Sequence, residues 1–164
     1  MEELGAVMTF EEALDRNGFI AYTNVGVSMM PLLREGRDVM VIQKREKQRL
    51  SKLDAVLFIR PNVEGRGHYV LHRILKVLPE GYWIVGDNCV YGEYVKEENV
   101  IGVLTSVMRD GKALDFASPG YRLYVRLWCA PWRFRFAVLR LRSFVRRAGS
   151  FFLRKVLRIR RKAS

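Results

Sequence analysis

The rhythm of apolar and polar positions changes twice along this chain. Thr9-Phe-Glu-Glu12 has the form of a capping box, a hydroxyl followed three residues later by glutamate, and Asn17-Gly18 supplies a stop. Residues 9–17 therefore read as one short helix. Six short runs follow: Phe19–Val25, Asp38–Gln43, Ala55–Arg60, Tyr69–Val77, Tyr82–Val85 and Val100–Arg109, rich in β-branched and aromatic residues. Between them stand the turn signals Gly36, Pro61-Asn62, Gly65 and Gly67, Pro79-Glu80-Gly81, Gly92 and Asp110-Gly111. Six short strands without long helices between them predict a mainly β, barrel-like domain. Beyond Pro119-Gly120 the step becomes three and four: Phe134, Val138, Leu141, Val145, Ala148, Phe152, Val156 and Ile159 recur, with arginines in most other places. That is a basic amphipathic helix, expected to break near Pro131 and to loosen at Gly149. Arg133-Phe-Arg-Phe136 and Leu139-Arg-Leu-Arg142 also alternate with the period of a strand.

The division is thus an N-terminal helix (1–18), a β-domain (19–118) and a C-terminal tail (119–164). Charge sharpens it. The net charge is +12, yet from residue 116 onward there are 14 Lys+Arg and no acid, which leaves 15 bases against 17 acids before it. A length of 164 residues with 49% apolar positions suits one packed domain and excludes a wholly disordered chain. Two cysteines, Cys89 and Cys129, and two histidines, His68 and His72, exclude a disulfide framework and a four-ligand Cys/His zinc site. The longest uncharged run, Asn17 to Leu33, is 17 residues and is broken by Gly18, Gly26 and Pro31, too short and too interrupted to span a bilayer. Glu2 and Glu3 stand where a cleavable signal carries bases. The expected compartment is the cytoplasm, with both thiols reduced.

Three features bear on chemistry. The first is Gly26-Val-Ser28-Met-Met-Pro31, followed by Gly36-Arg-Asp38-Val39, which holds a serine between a strand and a turn. The second is His72 in the apolar run Tyr69–Val77, where alternation puts Val70, His72, Ile74 and Lys76 on one face. The third is Gly86-Asp87-Asn88 after an apolar strand, with Glu93 five residues on from Asn88. Serine, histidine and carboxylate supply a nucleophile, a general base and an orienting acid. Lys76 is the substitute base on the His72 face. His68 reads as an exposed turn residue, Lys44 and Lys47 as part of a solvated charge cluster, and Cys89 as a thiol without a redox partner. Met29 and Met30 are expected in the groove or the core.

These blocks, over about residues 19–110, resemble the type I signal peptidase and SOS-repressor self-cleavage superfamily of serine peptidases. The resemblance implies a coiled, mostly antiparallel β-domain, with Ser28 as nucleophile. Leu71-His72-Arg73-Ile74 is similar to the histidine-base branch, the archaeal and endoplasmic-reticulum signal peptidases, and implies His72 as base. In that branch an acid after Gly-Asp-Asn completes a triad; the matching place holds Glu93, a glutamate for an aspartate, while Asp87 is implied to order the site. Gly26-Val27 replaces the usual Ser-Gly, so an oxyanion hole must rest on backbone N–H groups, Ser28 among them. The N-terminal membrane anchor of signal peptidases has no counterpart in this sequence. No cofactor and no metal is implied.

The expected function is a serine endopeptidase acting on an extended leader or pro-segment peptide. The alternative is a catalytically inactive peptidase-fold binding module tethered by its tail. Aromatics at Trp128, Trp132, Phe134, Phe136, Phe144, Phe151 and Phe152 among arginines point to an anionic membrane surface as the tail's partner, with the protein peripheral on the inner face. Nucleic acid is the competing polyanion, and the protein's own β-domain is a third place for the aromatics.

Overall fold

The computed structural model describes residues 8–46, 48–61 and 67–162, with side chains up to Gly149. Glu2, Glu3, Lys47 and the turn signals Asn62 and Gly65 lie outside the described residues, as do the side chains of Phe151, Phe152, Val156 and Ile159. Helix α1 (Phe10–Asn17) carries the expected capping box: Thr9 Oγ1 accepts from the Glu12 N–H and Glu12 accepts from the Thr9 N–H. Gly18, at φ 78°, closes it in the left-handed region and returns its N–H to Leu14 O. Leu14 anchors the helix in the core.

The strands are β1 (Phe19–Thr23), β2 (Val39–Lys44), β3 (Ala55–Arg60), β4 (His68–Leu78), β5 (Gly81–Val85), β6 (Glu93–Lys96), β7 (Val100–Arg109) and β8 (Lys112–Ala113). All six expected runs are strands; β6 and β8 are additional, short and charged enough to escape a hydrophobicity pattern. Every pairing is antiparallel, in the order β1-β2-β7-β3-β4-β5-β6, with β8 joined to β7. Register shifts at Val41/Ile42, Leu57/Phe58 and Ile74/Lys76 bend the strands, and the sheet curls into a half-barrel. The fold is mainly β, as the sequence implied.

Two consequences position the site. Among the described residues, positions 68–72 of β4 pair with β3 alone, because pairing with β5 begins at Arg73. The first half of β4 therefore offers an unpaired edge. The bulge at Leu75 also changes the phase of the strand. Ile74 packs with Val56, Phe58, Tyr82 and Ile84 on one face, whereas Lys76 lies over the Trp83 and Trp132 rings on the other. Lys76 thus does not share the His72 face, contrary to simple alternation.

The tail begins as α2 (Pro119–Tyr124), passes through a single π-helical turn (Val125–Cys129), and after Ala130-Pro131 becomes α3 (Trp132–Lys162). Its first half is core rather than appendage. Trp132 and Phe136 meet Trp83 at ring separations of 5.1 and 6.4 Å, over Leu75 and Val85. Trp132, Phe136 and Leu139 are one helical face, so the strand-like alternation of the arginines is overruled by packing. The helix runs unbroken through Gly149, a residue that costs a helix only about 1 kcal/mol against alanine.

Candidate active site

Ser28 sits in the turn between β1 and β2, braced from both ends. Asn24 donates through Nδ2 to Gly26 O at 3.0 Å, and the Gly26 N–H reaches Glu35 at 2.9 Å. Gly26 has φ 90°, a conformation that glycine adopts without strain. On the far side the buried Asp38 accepts from Arg109 and from the Arg34 N–H, and Arg109 also donates to Leu32 O. That ion pair holds the Asp38 carboxyl below its ordinary range. Met29, 1% exposed, locks the residue after the serine into the core, while Met30 stays exposed. Among the described residues neither the Ser28 nor the Met29 N–H has an acceptor.

The Gly86-Asp87-Asn88 turn meets this loop directly. Asn88 donates its N–H to Ser28 O at 2.8 Å and its Nδ2 to Val27 O at 3.1 Å. Gly86 is required by crowding: a methyl group there would lie 2.7 Å from Ser28 O, 2.9 Å from Cys89 Sγ and 3.0 Å from His72 Nε2. The backbone of the serine and the imidazole thus converge on one methyl-sized space. Ser28, His72, Asn88, Cys89 and Glu93 line a single cleft of about 920 Å³. Phe10, stacked on Tyr69 and edge-on to Tyr22, also lines it.

His72 is 7% exposed and packs beside Phe58. Burial pushes its pKa down to about 4; Glu93 pulls it up, Arg60 pushes it down further and Asp87 pulls it up. The imidazole is therefore neutral at neutral pH, the state a general base needs. Its Nδ1 stands 3.6 Å from Glu93 Oε1, beyond hydrogen-bond range, and has no partner among the described residues. Glu93 reaches this place through the sheet: Ile74 on β4 faces Ile84 on β5, which faces Glu93 on β6. Its carboxylate is gripped in two-pronged fashion by Arg60 of β3, through Nε at 2.8 Å and through Nη2. The Ser28 hydroxyl has no hydrogen-bond partner among the described residues.

Asp87 is elsewhere. Implied by the resemblance to order the site, and the alternative to Glu93 as third catalytic member, it is absent from the cleft lining and wholly buried. Arg73 binds it through Nε at 2.9 and 3.1 Å and through Nη2 at 2.7 Å, and the Tyr124 hydroxyl donates to it at 2.6 Å. Arg135 of α3 adds one bond at 3.3 Å and leaves Nε and Nη2 without partners. Trp128 donates its indole N–H to the Asp87 carbonyl at 3.0 Å. Burial would lower the Arg73 pKa, but Asp87 holds it well above the ordinary value; burial and Asp87 together raise Tyr124. Asp87 thus ties the Gly86–Cys89 turn to the tail helix. It orders the site and does not touch the imidazole.

The remaining residues settle simply. His68 is exposed at the cleft rim, as expected. Cys89 lines the cleft with its pKa raised by burial, and Cys129 is pushed by burial to about 11; both are free thiols. No group of three or more metal-ligating side chains occurs among the described residues. Sequence reasoning missed Arg60, Asn88, Tyr124 and Arg135. Asn88 was legible within its motif, and the other three had no signal beyond ordinary composition. Comparison with protein-family models, with curated proteins and with solved structures finds no match for this chain.

Proposed function

We propose that this protein is a serine endopeptidase in which Ser28 is the nucleophile, His72 the general base and Glu93 the acid behind it. The observation that carries the reading is the convergence of the Ser28 backbone and His72 Nε2 on Gly86, with Ser28 and His72 both lining one cleft. The resemblance of Ser28, His72 and Gly86-Asp87-Asn88 to the signal peptidase and repressor superfamily supports it independently.

The chemistry follows from the geometry. With the proton on Nδ1, towards Glu93, the Nε2 lone pair is free to take the Ser28 hydroxyl proton as Oγ bonds to the peptide carbonyl carbon. The oxyanion meets the free N–H groups of Ser28 and Met29. His72 then passes the proton to the leaving amine as the C–N bond breaks, and a water molecule releases the acyl group by the reverse sequence. Glu93 stabilises the imidazolium, and closure of the 3.6 Å gap to hydrogen-bond distance on substrate binding strengthens it. Residues 68–72 of β4 present an unpaired edge beside this centre, suited to an extended peptide added as a strand. A leader or pro-segment peptide meets that requirement.

The test is digestion of a diverse peptide library, read by mass spectrometry, with wild type and Ser28→Ala. The expected result is a set of cleavages that Ser28→Ala and His72→Ala each reduce by about a thousandfold or more. Cleavage that persists in Ser28→Ala refutes the assignment, and an inert wild type favours the non-catalytic binding module instead.

A further inference from the structure

Helix α3 has two apolar faces, and only one is used by the fold. Trp132, Phe136 and Leu139 are packed against the β-domain, with Arg135 buried beside Asp87. Phe134, Leu141, Phe144 and Val145 are 60–69% exposed. Phe134 and Leu141 are seven residues apart, and Phe144 and Val145 follow by three and four, which is one stripe of a helix. Because the opposite side is anchored, the stripe points away from the domain. Arg133 and Arg140 border it on one side and Arg142 on the other. The helix continues to Lys162 and adds Arg154, Lys155, Arg158, Arg160, Arg161 and Lys162.

We infer that this face of α3 is a docking surface for an anionic lipid bilayer, lying in the plane of the headgroups. Large apolar side chains framed by arginines match the boundary between acyl chains and anionic headgroups. Charge selects this occupant over the others. From residue 116 onward there are 14 bases and no acid, so a second copy of the helix meets strong repulsion. A nucleic acid satisfies the arginines through its phosphates but leaves Phe134, Leu141 and Phe144 in water. No described helix is long and apolar enough to cross a membrane, consistent with a helix that lies on the surface. Trp128 and Trp132, although aromatic, belong to the other face and bind the β-domain.

The inference does not rest on catalysis, and Ser28→Ala is expected to bind lipid as wild type does. The experiment uses the full chain, sedimented with vesicles of phosphatidylcholine containing about 30 mol% phosphatidylglycerol and with pure phosphatidylcholine, at about 100 mM salt. Binding to the anionic vesicles is expected to be at least about tenfold tighter. Leu141→Asp and Phe144→Asp should each weaken it about tenfold with circular dichroism and melting unchanged, since both side chains are exposed. Phe144→Trp should add emission that shifts to the blue with anionic vesicles. No binding to anionic vesicles, indifference to both aspartate substitutions, or tighter binding to duplex DNA than to vesicles overturns the inference.

Discussion

His72 and Arg73 are neighbours on β4 and face opposite sides of the sheet, and the two sides are built on opposite rules. On the His72 side polar groups are left short of partners. Among the described residues the imidazole Nδ1 has none, Glu93 is held by Arg60, and the Ser28 hydroxyl, on the cleft wall, is without a partner. On the Arg73 side one carboxylate, Asp87, is crowded with donors from the buried Arg73 and Arg135 and the half-buried Tyr124. The closed side immobilises the Gly86–Cys89 turn and the open side uses that turn to hold Ser28 beside His72. The closed side has its own orphans, Arg135 Nε and Nη2, but these are buried away from the cleft, whereas His72 and Ser28 line it.

Four substitutions break or sharpen that contrast. The largest effect on stability belongs to Asp87→Ala. It strands two buried guanidinium groups, so unfolding free energy should fall by about 3–5 kcal/mol, read as a drop in denaturation midpoint. Glu93→Gln should do the reverse, lowering kcat about 10- to 100-fold while the midpoint stays within about 1 kcal/mol of wild type. A carboxylate swap that harmed stability more than rate would put Glu93 on the closed side.

Arg60→Gln addresses pH. With His72 held down to about 4, the acid limb of kcat/KM for the free enzyme should lie near that value, far below an ordinary imidazole at about 6.5. Removing Arg60 removes a cation that lowers the imidazole pKa and frees Glu93, which raises it, so the limb should move up. The same shift has a stability signature. His72 is neutral when folded but protonates near 6.5 when unfolded, so stability is complete above that pH and is lost as pH falls from about 6.5 towards 4. Arg60→Gln should narrow that window. The smallest effect is Arg135→Met. Asp87 keeps Arg73, and the two orphaned donors of Arg135 disappear, so stability should change by no more than about 1 kcal/mol.

Local signals carried much of this. The Thr9 capping box, the Gly18 stop and all six expected strands are where the residues put them, because each depends on a few neighbours in sequence. What depends on register was not legible. Asp87 and Glu93 are both plausible third members of a triad in chain order, and only the β4-β5-β6 pairing brings Glu93 to the His72 face. Lys76 leaves that face because of a bulge that no residue type announces. In the tail one helical period describes both the buried and the exposed stripe. Arg135 reads like every other arginine there, yet it is wholly buried. Trp128 and Trp132 went to the domain and Phe134 and Phe144 did not, a division set by where α3 leaves Pro131.

The most direct test of the open side is labelling with a fluorophosphonate probe, followed by intact mass and peptide mapping at neutral pH. Wild type should gain one phosphonyl group, on Ser28, and Ser28→Ala none. Glu93→Gln should label more slowly than wild type, and His72→Gln more slowly still. Labelling of His72→Gln at the wild-type rate, or an equal adduct in Ser28→Ala, contradicts a serine activated by this histidine.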